Sequence, residues 1–277
     1  MQIKGKNALV LGAVKGIGKA IGLGLAEKGV KLVLTRHDWE DSFKSMERDF
    51  INSKIEHTII TVDLRNMKDI ENLALQIEKK YGSLDILINN IERGGWPTLH
   101  GKYTQEQWDL EIEVTLRAKQ WVFTSVFPLL KKSQEAVVIN ISSIAGIVGR
   151  SGPAALVFND AYAAANKGIS SLTETWARLG APNIRVNEIM LGIFETRHAQ
   201  YTRGWEEILT RKEKQSLIDH TLMKRTGALD DVVKACLFII EDAPYMTGSV
   251  LRLDGGYVLA GEKVPPMPKG IENFPIP

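Results

Sequence analysis

The chain has 277 residues, 44% hydrophobic and 25% charged, an ordinary globular composition with length enough for a large core. Its 35 basic and 33 acidic side chains are well mixed and leave a formal charge of +2, which offers neither nucleic acid nor an anionic membrane a basic face. No run of about 18 apolar residues exists to span a bilayer, the start lacks a signal-peptide pattern, and the lone Cys236 allows no disulfide within the chain, so a reducing cytoplasm is the expected location.

In chain order, short apolar runs alternate with longer amphipathic stretches. The runs "NALVL" (7–11), "KLVLT" (31–35), "HTIITV" (57–62), "DILIN" (85–89), "AVVINI" (136–141), "IRVNEI" (184–189) and "VLRL" (250–253) read as strands. They are continuous rather than alternating, as strands buried on both faces are. Helices are expected at about 16–28, 41–52, 66–80, 104–131, 160–179 and 229–240. This alternation predicts an α/β fold: one Rossmann-like, doubly wound domain with a parallel sheet of about seven strands. The domain is expected to cover 1–260. The charged stretch 197–226 reads as a helical insertion closing the substrate pocket, and 261–277, with five of the ten prolines, as an extended Pro-rich tail.

The first strand runs into "GAVKGIGKA", which places Gly12, Lys15, Gly16, Ile17 and Gly18 in a strand–turn–helix unit. Glycines there permit a tight turn and let backbone N–H groups reach a pyrophosphate at the positive end of the helix. The alternative is that Gly12 and Gly18 only allow close helix–strand packing. The second strand ends in "LTRHD", with Arg36 where an acid would accept the adenosine ribose hydroxyl, then His37 and Asp38. Arg36 and Lys15 favour the 2′-phosphate of NADP(H); with Arg36 as a solvated surface residue, NAD remains possible.

In their order along the chain, these features resemble the short-chain dehydrogenase/reductase family to about residue 258. Beside the Gly-rich turn, "VDL" (62–64) gives Asp63 and Leu64 near the adenine, "LDILINN" (84–90) gives Asn89, and "INISS" (139–143) gives Ser143. "YAAANKGISSL" aligns with the family's tyrosine helix through Tyr162, and "NIRVNEIMLGIFET" (183–196) supplies Ile193 and Thr196 beside the nicotinamide. The resemblance implies hydride transfer between a nicotinamide and a small-molecule carbonyl or alcohol. In it Tyr162 is the proton donor and Ser143 orients the substrate oxygen. It also implies a homotetramer or homodimer.

Several positions depart from the family pattern. Asn166 stands at the lysine position and Thr115 at the relay asparagine. Asn89-Asn90-Ile91-Glu92 replaces the Asn-Asn-Ala-Gly signature, with Gly94 and Gly95 following. Leu11 and Leu191 replace a threonine and a proline. Lys167 is one residue late and would face away from Tyr162 on a regular helix; only a π-bulge would bring it round. Asn166 can still hydrogen-bond a ribose hydroxyl, whereas Thr115 fits a structural bond to a backbone carbonyl as well as a catalytic role. Without the cation, the phenol remains an acid and becomes a poor base, which biases activity toward reduction. A second reading is a nucleotide-binding sensor or partner subunit without turnover. A third keeps the enzyme but reduces a C=C or C=N bond. No histidine grouping has metal-ligand spacing. Trp96 and Trp205 are the candidate pocket walls.

Overall fold

A computed structural model of the chain describes residues 1–37, 39–92, 104–196, 205, 209–262 and 264–266. Seven strands, β1 (Asn7–Val10), β2 (Lys31–Arg36), β3 (His57–Thr61), β4 (Ile86–Asn89), β5 (Ala136–Ser143), β6 (Ile184–Leu191) and β7 (Val250–Leu253), form one sheet. All pairings are parallel, in the order β3-β2-β1-β4-β5-β6-β7. Strand order reverses between β1 and β4, and the crevice beyond those strand ends is where such sheets bind ligands.

The helices are α1 (Gly16–Glu27), α2 (Phe43–Asn52), α3 (Met67–Tyr81), α4 (Gln105–Ile112), α5 (Ala118–Lys131), α6 (Ala145–Val148), α7 (Asp160–Gly180), α8 (Arg211–His220) and α9 (Leu229–Leu237). Successive strand residues point to opposite faces. Ala8, Val10, Leu32 and Leu34 therefore pack on α1, α2 and α9, while Leu9, Leu11 and Val33 pack on α3, α5 and α7. A third cluster joins Ile144, Phe158, Tyr162, Trp205, Leu217 and Tyr257 near the ends of β5 and β6.

The expected helix over 104–131 is interrupted by a π turn at Glu113–Arg117, and that over 229–240 ends in another at Phe238–Asp242. Of the 197–226 insertion, the described part holds α8, started by a Thr210–Glu213 capping box. Trp96, Gly94, Gly95 and Asp38 lie outside the described residues, as does most of the 261–277 tail. No helix among the described residues is long and apolar enough to cross a membrane.

Candidate active site

The β1–α1 turn is built around a close approach that only glycine allows. A Cβ on Gly12 would lie 2.4 Å from the Asn90 carbonyl oxygen, and one on Gly18 would lie 2.2 Å from the Gly12 carbonyl oxygen. Asn90 closes the turn from the far side by donating to the Leu11 carbonyl, 3.3 Å. No side chain caps the start of α1, so its first N–H groups point at the adjoining cavity. That cavity is lined by Gly12, Lys15, Gly16 and Ile17, by Arg36, Asp63 and Leu64, and by Thr196. A glycine-lined groove at an uncapped helix start suits a dinucleotide pyrophosphate, so the residues present fit the expected cofactor at this end.

The charges at the adenosine end are already engaged. Arg36 donates through Nε to Thr61, 2.9 Å, pairs with Glu47 through Nη1, and lies 4.5 Å from the Phe43 ring centre. Lys15 Nζ sits 3.9 Å over the Trp39 ring. Asp63 is held by Arg65, which donates from Nη2 at 2.7 Å and from Nε at 2.9 Å. These bonds hold the Asp63 carboxyl below its ordinary range.

A second cavity adjoins the first and shares Ile17, Glu92 and Thr196 with it. Ser143, at the end of β5, and Tyr162, in the first turn of α7, line it together with Ile193. Asn159 caps α7 by accepting from the Tyr162 N–H, 2.8 Å, which fixes where the phenol emerges. Tyr162 is 1% exposed. Burial pushes its pKa well above the ordinary value, and the neighbouring Glu92 carboxylate adds to this. The Ser143 hydroxyl, within hydrogen-bonding reach, pulls the other way.

Four predicted residues lie elsewhere. Asn166 is fully buried and its amide bonds main chain: Oδ1 accepts from Ser143 N, 2.9 Å, and Nδ2 donates to Tyr162 O, 3.0 Å. It splints the serine to the tyrosine. Thr115 is buried in the π turn, and its hydroxyl donates to the Glu111 carboxylate, 2.8 Å, rather than to a backbone carbonyl. Asn89 is buried behind the site, donating to Lys119 O at 3.3 Å and Asn140 Oδ1 at 3.2 Å. Gly18 lies beneath the turn rather than on the groove. Helix α7 is regular α throughout, and Lys167 on it is exposed.

Two charged residues that the motifs do not mark are central. Glu92, just beyond β4, accepts from the Tyr162 phenol at Oε2, 2.7 Å. Lys119, on α5, is fully buried; its ammonium donates to Ile141 O, 2.7 Å, and lies 3.7 Å from Glu92 Oε1. Burial pulls the Lys119 pKa down, and Glu92, Glu188 and Glu111 oppose that shift. A lysine within the apolar run "AKQWVFTSVF" was the only sequence signal for it.

Residues 12–258 match a family model described as Enoyl-(Acyl carrier protein) reductase. The chain is 30% identical to the 3-oxoacyl-(acyl-carrier-protein) reductase FabG of Thermotoga maritima over 266 residues, 94% of this chain and 100% of the relative. It is 29% identical to the probable galactose dehydrogenase GalD of Rhizobium meliloti, covering 92% of this chain and 95% of that one. Its fold is similar to that of RhlG from Pseudomonas aeruginosa, solved as an NADP active-site complex, with a TM-score of 0.80 at 24% identity over 92% of this chain and 97% of that one.

Proposed function

The chain belongs to the short-chain dehydrogenase/reductase family and is an NAD(P)-dependent oxidoreductase, and we propose that it uses NADPH to reduce a small or medium apolar carbonyl compound. The observation that carries this reading is the meeting of the Tyr162 phenol and the Ser143 hydroxyl in a cavity continuous with the glycine-lined groove. A bound nicotinamide would supply the hydride. Ser143 orients the substrate oxygen and Tyr162 gives it a proton. The phenol's raised pKa keeps that proton in place at neutral pH. The same shift leaves almost no phenolate to act as base on an alcohol, which supports a bias toward reduction.

Val157, Phe158, Ile193, Phe194, Trp205 and Leu209 line the cavity and suit an apolar substrate. The FabG relative is itself named for reduction of a 3-oxoacyl group. Lys15, Arg36, His37 and Arg65 line the adenosine end, while Asp63 there is engaged by Arg65. That balance favours a ribose 2′-phosphate over a bare 2′-hydroxyl. The RhlG neighbour is an NADP complex, which agrees with this choice. The reading includes self-association as a tetramer or dimer through α4–α5, α7 and β7, with 197–226 as the substrate lid.

The test is a panel of aliphatic and aromatic ketones with NADPH or NADH, and the matching alcohols with NADP⁺, at neutral pH. NADPH should outperform NADH, and reduction should outpace oxidation. Tyr162→Phe should lower kcat by about 10²–10⁴-fold. Equal rates in the two directions would overturn the reductive bias. NADPH binding without turnover, matched by Tyr162→Phe, would leave the nucleotide-sensor reading in its place.

A further inference from the structure

Asn166 leaves the family's lysine position without a charge, yet an ammonium lies on the far side of Glu92, the carboxylate that accepts from the phenol. It arrives on α5 rather than α7. From the solvent-facing cavity inward, the contacts run from Tyr162 OH to Glu92 Oε2, 2.7 Å, from Glu92 Oε1 to Lys119 Nζ, 3.7 Å, and from Lys119 Nζ to Ile141 O, 2.7 Å. We propose that Glu92 is the proton-exchange partner of Tyr162 and that Lys119 is the positioning cation that holds Glu92 there. The proposal rests on the oxidoreductase reading.

Three observations support it. Lys119 is fully buried, whereas the Glu92 side chain keeps 12% exposure although its Oε1, on the Lys119 side, is buried. Glu92 borders both cavities, so it can exchange protons with solvent on one side and with the phenol on the other. A buried lysine is costly unless it is paired, and the acids around it have distinct tasks. Glu111, from α4, accepts from Thr115, 2.8 Å, and Asn159, 3.4 Å. Glu188, from β6, accepts from Ser142 and Ser170 and also feels Lys167. Facing the phenol among the described residues are Glu92, Glu111 and the Ser143 hydroxyl, and Glu92 accepts its hydrogen bond.

In reduction, the carbonyl carbon receives the hydride and the phenol gives its proton to the oxygen. The phenolate left behind is recharged through the Glu92 carboxylate, which takes a proton from solvent at the cavity and passes it to the phenolate oxygen along the Tyr162–Glu92 hydrogen bond. One hydride and one proton enter the product, and no further oxidant or reductant is needed.

The first arm of the test needs neither cofactor nor substrate. The pH titration of the Glu92 carboxyl is followed by NMR of isotope-labelled glutamate carboxyl carbons, assigned by loss of the signal in Glu92→Gln. Removing the adjacent cation in Lys119→Met should raise the proton affinity of Glu92 about tenfold, whereas Lys119→Arg should restore it. An unchanged titration in Lys119→Met overturns the positioning role. If Lys119→Met fails to fold, Lys119→Gln, which keeps a donor for the Ile141 carbonyl but no charge, carries the titration with the same expected shift, and an unchanged titration there overturns the positioning role. The second arm is the pH profile of kcat for NADPH-dependent ketone reduction. Glu92→Gln should lose the limb that coincides with the Glu92 titration and lower kcat at least tenfold, with KM for NADPH changed less than about threefold. A Glu92→Gln profile parallel to wild type overturns the proton-exchange role. A wild-type protein that reduces no ketone sinks the oxidoreductase reading, while the titration still decides whether Lys119 governs Glu92.

Discussion

Asn166 shows how one side chain can replace a catalytic residue without inheriting its task. Its amide oxygen takes the Ser143 N–H and its amide nitrogen reaches the Tyr162 carbonyl, so the side chain is spent on holding β5 against α7. Asn166→Ala would leave a buried N–H without its acceptor, at a cost of about 1–3 kcal/mol. The melting temperature should fall by about 2–4 °C for each kcal/mol lost, while NADPH affinity measured by fluorescence titration stays near wild type. Lost affinity at unchanged stability would mean that Asn166 touches the cofactor directly, as its alignment with the family lysine suggested. The phenol, the serine and the glycine turn were readable because each sits at a fixed spacing within one local segment. Glu92 and Lys119 were not, because they meet across two elements separated by residues whose spacing encodes nothing about the contact.

Among the elements, the strand–turn–helix unit of β1–α1 was legible, though not the place of Gly18 beneath it, and the π turns were not. The turn announces itself because glycine is the only residue its packing admits. A Cβ on Gly18 would also lie 2.6 Å from Asn90 Nδ2, so Gly18→Ala must push apart the two strand ends that frame the groove. Overpacking of this kind costs about 1–3 kcal/mol. We expect a lowered melting temperature and NADPH affinity reduced at least tenfold, and unchanged affinity would show that the turn does not carry the pyrophosphate. The seven strands emerged within two residues of their expected ends because continuous apolar runs have few other uses in a chain of this composition. The π turn at Glu113–Arg117 has no such signature. Its Thr115 and Glu111 of α4 bond each other while both are buried in the packed helix layer, and that burial is tertiary information. The turn ends one residue before α5, the helix that carries Lys119. A uniform helix drawn through 104–131 would therefore have misassigned the inward face.

Considered as a whole, the molecule keeps a cluster of charges in its interior while its surface is nearly neutral, and this must appear in how stability depends on pH. Glu188, on β6, is fully buried. It accepts from Ser142 and Ser170 through Oε1, whereas Oε2 has no hydrogen-bond partner among the described residues. Burial raises its pKa above 4.5, and the bonds from Ser142 and Ser170 and the charges of Lys119 and Lys167 only partly offset this. A carboxyl whose folded-state pKa is raised contributes stability that is complete below its unfolded value and is lost as pH climbs through the folded one. Glu188→Gln keeps an acceptor for the serines and removes that loss. The variant should melt about 2–4 °C above wild type near pH 7, and the gap should close as pH falls below about 4.5. Thermal unfolding of both proteins from pH 4 to 8 measures this directly. If the variant instead melts lower at pH 7, the carboxylate is ionised in the fold and its attraction to Lys119 outweighs its burial. The interior cluster would then be held together by that attraction, and Lys119 would have two anchoring acids rather than one.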